Sequence, residues 1–171
     1  MAEVIEFTRG VPPPESIPVD RLAQCAQYVL KREAQGILQY ANARGFLPLR
    51  EWVSSQHNVS AEQVLLGQGS LQLLDHLIRL LVKPGDSVLI ENPTYDRVLT
   101  LIRRAGGLPV GIPLKNDGVD LDILEAKLNT GQKPVFLYII PDFQNPSGSC
   151  MTYEKRAQLA ALAKRYNLLI V

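Results

Sequence analysis

The most constraining feature of the sequence is an apolar run at residues 135–140, followed at once by Pro-Asp-Phe-Gln-Asn-Pro-Ser-Gly at residues 141–148. A continuous run of this length, rich in β-branched and aromatic residues, is typical of a strand buried on both faces of a sheet. The two prolines and the glycine then prevent the strand from continuing. By themselves, the last four residues favour a plain turn, since each is a turn-forming type.

Asn145 is the residue of this segment that is best suited to contact a ligand. It stands where the chain leaves the predicted sheet, and the proline after it favours an extended backbone at Asn145. In open α/β sheets, ligands bind outside the carboxyl ends of the strands. Because its amide has both donor and acceptor groups, Asn145 is a candidate ligand contact.

The remaining sequence predicts strands that alternate with helices. Apolar segments predict five strands, at residues 64–66, 87–91, 108–114, 135–140 and 168–171. Apolar residues at helical spacing predict a helix between consecutive strands and two more before the first strand. Asp20 and Asp120 are predicted N-caps, and Gly36 is the predicted end of the first helix. This order implies right-handed crossovers and a three-layer αβα fold with a mostly parallel sheet.

Composition excludes several classes of function. The 171 residues include 18 basic and 17 acidic side chains, and no basic block indicates binding to nucleic acid or an anionic membrane. There is no apolar run of membrane-spanning length and no signal-peptide pattern. Two cysteines, Cys25 and Cys150, fit reduced thiols in a cytoplasmic protein. His57 and His76 have no partners at metal-ligand spacing, so no metal site is expected.

Three loops carry residues that could meet at one ligand, because loops after parallel strands open at the same edge of a sheet. Residues 67–71, Gly-Gln-Gly-Ser-Leu, lead directly into a predicted helix, whose free N–H groups favour an anion such as phosphate. Residues 92–95 end on Tyr95, on which a flat heterocycle could stack. Together with Asn145, these features describe a site for a flat, phosphorylated ring.

Each of these features also has a simpler interpretation. The first loop could be a glycine-rich turn with Ser70 as an ordinary N-cap, and Tyr95 could merely pack at the start of a helix. The first loop lacks the Gly-Lys-Ser/Thr ending of a P-loop and the third glycine of a dinucleotide fingerprint. The sequence therefore matches neither of those phosphate-binding motifs.

Taken together and in order, these segments resemble fold-type-I pyridoxal-phosphate enzymes, and most closely the class I and II aminotransferases of the 2-aminoadipate aminotransferase type. The resemblance extends from residue 7 to residue 171. Its matching pieces are Gln39-Tyr40 with Gly45 and Leu49-Arg50, Gly69-Ser70, Pro84-Gly85-Asp86, Pro93-Thr94-Tyr95 and Gln144-Asn145-Pro146-Ser147-Gly148. The resemblance implies the αβα large domain of these transferases, pyridoxal 5'-phosphate as cofactor, and transfer of an amino group between an amino acid and a 2-oxo acid.

The same resemblance implies roles for individual residues. Gly69, Ser70 and the backbone of Leu71 would hold the cofactor phosphate. Tyr95 would stack on the pyridine ring. Asn145 would donate a hydrogen bond to the 3-oxygen of the ring, help to keep that oxygen ionised, and lie beside the substrate.

Two further residues are implicated through the family's dimeric architecture. Tyr40 would reach the cofactor phosphate of the neighbouring subunit in a homodimer, and Gly10 would lie over the substrate. The sequence departs from the family pattern at Leu71, where glutamine is frequent, and at Ala41, where glycine is frequent. The first change matters little if only the backbone N–H is used, whereas the second could shift the loop of Tyr40.

The resemblance also implies groups that this sequence does not contain. Family members continue into an Asp that pairs with the pyridine nitrogen, a Lys that forms the Schiff base and an Arg that binds the substrate carboxylate. No catalytic residue is therefore predicted here, and the chain is expected to be an N-terminal piece that is inactive alone. All six lysines that follow the first helix are predicted to lie on the surface: Lys83, Lys115, Lys127, Lys133, Lys155 and Lys164.

Domain organisation follows from the same comparison. Residues 1–55 are predicted to form the N-terminal arm and helices of the small-domain and dimer-contact part. Residues 56–171 are predicted to form the first part of the cofactor-binding large domain. Because two later strands of the family are missing, residues 64–66 would lack a partner strand and residues 168–171 would form an exposed apolar edge.

Three alternative functions stay open at this point. The scaffold could catalyse another pyridoxal-phosphate reaction, such as β-elimination or decarboxylation, because fold does not determine reaction. The chain could be the aminotransferase-like effector domain of a transcription regulator, although no basic helix-turn-helix segment precedes it in this sequence. It could also be an inactive fragment that binds a partner. The sequence does not identify the substrate amino acid.

Overall fold

The computed structural model describes residue 10, residues 12–40, residues 42–131 and residues 133–171. The predictions that concern residues 7–9 and Ala41 lie outside these ranges. The chain divides into two compact units, Met1–Leu66 and Gly67–Val171. Across the described ranges, no helix is both long and apolar enough to cross a membrane. The domain boundary after residue 55 stays a prediction.

The N-terminal unit is helical where it is described. Its elements are a 3₁₀ helix at Pro14–Ser16, α1 (Val19–Ile37), α2 (Leu47–His57) and a second 3₁₀ helix at Ala61–Gln63. The prediction that Asp20 caps α1 is wrong, because Pro18 is the N-cap residue and Asp20 lies in the first turn. There its carboxylate faces the positive end of the helix dipole. The helix ends at Ile37, one residue beyond the predicted end at Gly36.

The predicted strand at residues 64–66 is also wrong. The Val64 N–H donates to the Ala61 carbonyl at 3.2 Å, and the Leu66 N–H donates to the Arg44 carbonyl at 3.0 Å. Both donors are therefore used in contacts within this unit rather than in a sheet. Gly45 permits the second contact, since its φ is +98° and a Cβ there would lie 2.7 Å from Leu66 Cβ.

The second unit contains the sheet. In chain order its elements are α3 (Ser70–Leu81), β1 (Ser87–Asn92), α4 (Asp96–Arg104), β2 (Leu108–Lys115), β3 (Gly118–Val119), α5 (Leu121–Asn129), β4 (Leu137–Tyr138) and α6 (Tyr153–Tyr166). The strand order is β3-β2-β1-β4. β1 is parallel to both β2 and β4, whereas β3 pairs antiparallel with β2. The predicted mostly parallel sheet is confirmed, but the β2–β3 hairpin was not predicted.

The segment predicted as the last strand pairs with β4 over a very short length. Ile170 forms a single parallel bridge with Leu137. The Leu137 N–H donates to the Leu169 carbonyl at 2.8 Å, and the Val171 N–H donates to the Leu137 carbonyl at 2.9 Å. Leu169 is 47% exposed. The predicted pairing direction is therefore right, and the predicted strand is reduced to one bridge.

Alternate residues of β1 face two different apolar layers. Leu89 packs with residues of α5 and α6, among them Leu124 and Leu159. Its neighbours Val88 and Ile90 pack with residues of α3 and α4 on the opposite face. Because side chains alternate along a strand, this pattern requires helices on both faces of the sheet. The predicted three-layer αβα architecture is confirmed.

Helix caps and one buried lysine complete this unit. The Asp120 carboxylate accepts from the N–H groups of Asp122 and Ile123, which confirms the predicted N-cap of α5. The prediction that all six lysines after the first helix lie on the surface is wrong for Lys155, which is only 7% exposed. Its Nζ donates to Asp117 Oδ1 at 2.6 Å and holds the β2–β3 turn against α6. The reason lies in the helix spacing, which places position 155 on the buried face of α6 with Leu159.

A matched pair of substitutions tests the packing of this unit. Phe136 is fully buried among α3 and α4, so Phe136→Ala should lower the free energy of unfolding by about 3–5 kcal/mol, since it leaves a cavity. Phe143 is 81% exposed, and Phe143→Ala should change that free energy by less than about 0.5 kcal/mol. Urea unfolding followed by circular dichroism measures both. Equal losses in the two variants would contradict the assigned core.

Candidate functional site

The carboxyl edge of the sheet collects the predicted loops. Helix α3 precedes β1 and ends shortly before it, so the two elements run in opposite directions. Its 12 residues span about 18 Å, and the six residues of β1 span about 20 Å. The N-terminus of α3 therefore lies level with the carboxyl end of β1. Tyr95, the N-cap residue of α4, follows at the same end.

The N-terminus of α3 is open and has no side-chain cap. Gly69 is its N-cap residue, with φ +99° and ψ 161°, and Ser70 is the first helical residue. The first intrahelical bond runs from the Leu73 N–H to the Gly69 carbonyl at 3.3 Å. The N–H groups of Ser70 and Leu71 precede that bond and point out of the helix end. A Cβ built on Gly69 would meet nothing within 4 Å, so this end is free to receive a ligand.

The loop after β1 presents Tyr95 and leaves a buried hydroxyl beside it. Tyr95 is half-buried at the start of α4. The Oγ1 atom of Thr94 is buried and has no hydrogen-bond partner in the described part of the chain. The Pro93 carbonyl accepts a hydrogen bond from Gln144 Nε2 at 2.9 Å. This contact joins the loop after β1 to the loop after β4.

Asn145 lies in the loop after β4 with its side chain exposed. The preceding residue, Gln144, is 2% exposed and points into the protein. Its Oε1 accepts from the Ser147 N–H at 2.9 Å, and its backbone N–H donates to the Ser149 carbonyl at 2.8 Å. These bonds close the loop into a tight turn, so Asn145 projects from a fixed support.

The same loop is held from α6 by Arg156. Its guanidinium donates to Asp142 Oδ1 at 2.5 Å and to the Pro141 carbonyl at 3.1 Å, and its Nε donates to the Met151 carbonyl at 3.0 Å. The hydrogen bonds from Arg156 hold the pKa of the Asp142 carboxyl below its usual value. Both ends of the loop are thereby tied to one side chain.

A buried carboxylate lies beneath these loops. Glu91, on β1, is 1% exposed. Its Oε2 accepts from the Ile140 N–H at 3.1 Å and from Gln144 Nε2 at 3.1 Å. Burial raises the pKa of Glu91, and the two hydrogen bonds partly oppose that rise. The pKa of Tyr138 is raised as well, first by burial and then by the negative charge of Glu91.

Comparison with known proteins identifies the family. The sequence model of "Aminotransferase class I and II" matches residues 2–171. The chain belongs to the class I and II aminotransferase family. It is 36% identical over 180 residues to aromatic-amino-acid aminotransferase 1 of Thermococcus litoralis, covering 99% of this chain and 43% of that protein. It is 34% identical over 168 residues to 2-aminoadipate transaminase of Thermus thermophilus, covering 98% and 42% respectively.

Solved structures confirm the predicted fold class. The α-aminoadipate aminotransferase of Thermus thermophilus, complexed with N-(5'-phosphopyridoxyl)-L-leucine, superposes on this aminotransferase chain with a TM-score of 0.90. The two are 34% identical, and the match covers 96% of this chain and 42% of that one. The chain thus spans less than half the length of these relatives.

Gly10 and Tyr40 belong to the N-terminal unit of this aminotransferase chain, and both are exposed. The Tyr40 side chain is fully exposed, so its hydroxyl is accessible to another molecule. The roles assigned to both residues by resemblance stay predictions. So do the roles of Gly69, Ser70, Leu71, Tyr95 and Asn145 in the second unit.

Sequence reasoning missed Glu91 and Gln144, and only the first had a recognisable signal. Glu91 follows Val88, Leu89 and Ile90 in a strand that is otherwise apolar, and a carboxylate inside such a run has to find buried donors. Gln144 stands between an exposed phenylalanine and Asn145, and its sequence position alone does not show that it turns inward. The sheet pairing of β1 with β4 is what brings the two side chains together.

The pH dependence of folding tests the environment of Glu91. Its pKa is raised above the ordinary value of 4.5, so the folded state binds a proton more tightly than the unfolded state does. Stability contributed by the protonated form is present at low pH and is lost as pH rises above that value. The unfolding free energy of the wild type should therefore fall relative to that of Glu91→Gln as pH is raised from about 4 to about 8.

Urea unfolding at a series of pH values measures this difference. Glu154→Gln is the matched control, since Glu154 is exposed on α6. A wild-type curve that stays parallel to that of Glu91→Gln across the range would show that the carboxyl titrates alike in both states, contrary to its buried position.

Proposed function

We propose that this chain forms the cofactor-binding part of an aminotransferase that uses pyridoxal 5'-phosphate to move an amino group between an amino acid and a 2-oxo acid. The observations that carry the proposal are the uncapped N-terminus of α3 and the position of Tyr95 and the exposed Asn145 in the loops after β1 and β4. An anion seat, an aromatic ring and an exposed amide match the phosphate, the ring and the ring oxygen of that cofactor. Family membership and the phosphopyridoxyl ligand of the Thermus relative support this choice.

The phosphate would be held by the start of α3. The free N–H groups of Ser70 and Leu71 and the positive end of the helix dipole favour a doubly charged anion. Ser70 is exposed there, and its hydroxyl adds a further donor. Glycine at position 69 leaves room, because no side chain occupies the approach to these donors.

The ring would lie between the two loops that Gln144 joins. Tyr95 offers a flat face for stacking, which contributes about 0.5–1.5 kcal/mol beyond area burial. Asn145 can donate through its side-chain NH₂ to an ionised ring oxygen. When bound, the cofactor supplies an electron sink for charge left on the substrate carbon. The contribution of this chain is to bind and orient the ring and to stabilise charge on its oxygen.

Two lysines of the second unit are engaged in ion pairs. Lys155 is buried, and its ammonium is ion-paired with Asp117 at 2.6 Å, beside the β2–β3 turn. Lys115 is likewise paired with Asp120 at 3.0 Å. Neither lysine is therefore assigned the covalent step of the family.

The assembly and location follow from the family resemblance. We propose a cytoplasmic homodimer in which Tyr40 reaches the cofactor phosphate of the partner subunit and Gly10 covers the substrate. Residues 1–55 would belong to the small-domain and dimer-contact part, and residues 56–171 to the large domain. The free thiols of Cys25 and Cys150 and the full exposure of Tyr40 support this arrangement.

Binding of pyridoxamine 5'-phosphate tests the site directly, because this amine form needs no lysine. Fluorescence titration should show saturable binding to the chain, and Tyr95→Ala should raise the Kd about 2- to 13-fold, the equivalent of the lost stacking. Tyr153→Ala is the matched control, since Tyr153 is 82% exposed on α6. Absence of binding by the wild type, or equal Kd values for both variants, would contradict the site.

Amino transfer is tested with the protein expressed from its natural gene and loaded with pyridoxal phosphate. A ¹⁵N-labelled amino acid and an unlabelled 2-oxo acid should yield a new ¹⁵N-labelled amino acid, measured by mass spectrometry. Asn145→Ala should slow this transfer at least about tenfold, because a charge-assisted hydrogen bond is lost. Release of ammonia or carbon dioxide without transfer would instead show elimination or decarboxylation.

A further inference from the structure

Gln144 is an inward-facing residue in a turn whose neighbours are exposed. Phe143 is 81% exposed, and Asn145, Pro146 and Ser147 are exposed as well, whereas Gln144 is 2% exposed. The backbone of Phe143 adopts φ +49°, in the left-handed region that phenylalanine rarely occupies. Such a conformation requires favourable contacts around it, and the hydrogen bonds between Gln144 and residues 147 and 149 supply them.

The side chain of Gln144 makes three hydrogen bonds between two loops. Its Nε2 donates to Glu91 Oε2 at 3.1 Å and to the Pro93 carbonyl at 2.9 Å. Its Oε1 accepts from the Ser147 N–H at 2.9 Å. Two of these bonds cross from the loop of Asn145 to β1 and the loop of Tyr95, and the third closes its own turn. Such a buried amide, with both donors and its oxygen engaged, has little freedom to move.

Glu91 is the rigidly held hydrogen-bond acceptor in this contact. It belongs to β1, whose neighbours on both sides are parallel strands. The same Oε2 that accepts from Gln144 also accepts from the Ile140 N–H at 3.1 Å, so the exit of the chain from β4 is held at the same atom. Glu91 Oε1 is buried without a partner in the part of the chain that is described, which leaves Oε2 as the atom that carries the contacts.

We propose that Glu91 and Gln144 form a positioning bridge that sets the distance between Tyr95 and Asn145, and thereby the register in which a flat ring is held. Both side chains are almost fully buried beneath the loops, so we assign them as positioning residues. The ligand named here rests on the proposed function, whereas the coupling of the two loops rests on the hydrogen bonds alone. Removing the bridge should therefore loosen both loops together and weaken binding of the ring.

Amide hydrogen exchange on the chain without ligand tests the coupling. Gln144→Ala should speed exchange about tenfold or more at Ser147, whose N–H loses its acceptor, and also at Val98, whose N–H donates to the Tyr95 carbonyl at 3.2 Å in the other loop. Gln158→Ala, on the exposed side of α6, is the matched control and should change neither loop. Faster exchange confined to residues 144–149 would overturn the proposal, because the bridge would then serve only its own turn.

Gln144→Glu provides a second test that does not depend on a cavity-forming change. Two carboxyl groups would then face each other, and one of them has to carry a proton to keep the bond. Tyr138 is an ionisable group that interacts with Glu91, and Asp142 in the loop of Gln144 is paired with Arg156. Relative to the wild type at the same pH, this variant should bind pyridoxamine phosphate within about threefold at pH 5 and at least about tenfold more weakly at pH 8.

The outcomes separate this proposal from the proposed function. Coupled loosening in Gln144→Ala, with no binding of pyridoxamine phosphate by the wild type, would support the bridge and contradict the cofactor. Should the alanine variant not fold, exchange of Gln144→Glu relative to the wild type at the same pH decides the same question, since the two proteins should differ little at pH 5 and by at least about tenfold in both loops at pH 8. Exchange equal to that of the wild type in both loops at pH 8 would overturn the bridge even if the ligand binds.

Discussion

The parallel pairing of β1 between β2 and β4 is the constraint on which the rest of this unit depends. Parallel strands need crossover connections, so a helix returns the chain to the amino end between one parallel strand and the next. Val88 and Ile90 face one layer of helices and Leu89 faces the other, which makes both layers necessary. The loops at the carboxyl edge lie outside these two apolar layers, and they carry Tyr95 and Asn145.

That arrangement has a polar cost at the end of β1. Glu91 is nearly fully buried, and a buried carboxylate is destabilising unless donors reach it. The donors come from Ile140 and Gln144, which lie beyond β4 and are brought near only because β4 pairs with β1. Formation of the sheet and order in the loop of Asn145 are therefore linked through one carboxylate oxygen.

Much of the architecture could be predicted from local signals, and the failures have physical causes. Apolar runs and helical spacing located β1, β2 and helices α1 to α6, and the Asp120 cap followed from residue type alone. The prediction of a strand at residues 64–66 failed because the N–H groups of Val64 and Leu66 donate to the carbonyl oxygens of Ala61 and Arg44. The prediction that Lys155 lies on the surface failed because it was based on residue type. Its position on the same helix face as Leu159 indicated burial.

The residues of the candidate site also separate into those that local sequence indicates and those that depend on strand order. Tyr95 and Asn145 are candidates because they follow predicted strands, whereas Ser70 is a candidate because it begins a helix and does not follow a strand in the structure. The bridge of Glu91 and Gln144 is a contact across 53 positions of sequence, and no local pattern specifies which strands are neighbours. Strand order decides that contact, and strand order is a property of the whole sheet.

Helix α6 stabilises the carboxyl edge of the sheet through contacts near its start. Two consecutive residues near its start act in different places, since Lys155 is paired with Asp117 at the β2–β3 turn and Arg156 holds the loop of residues 141–151. With the Gln144 bonds, that loop is fixed from below and from the side, while the amide of Asn145 is left exposed. The backbone that carries Asn145 is thus restricted before any ligand arrives, and restricting a loop in advance lowers the entropic cost of binding.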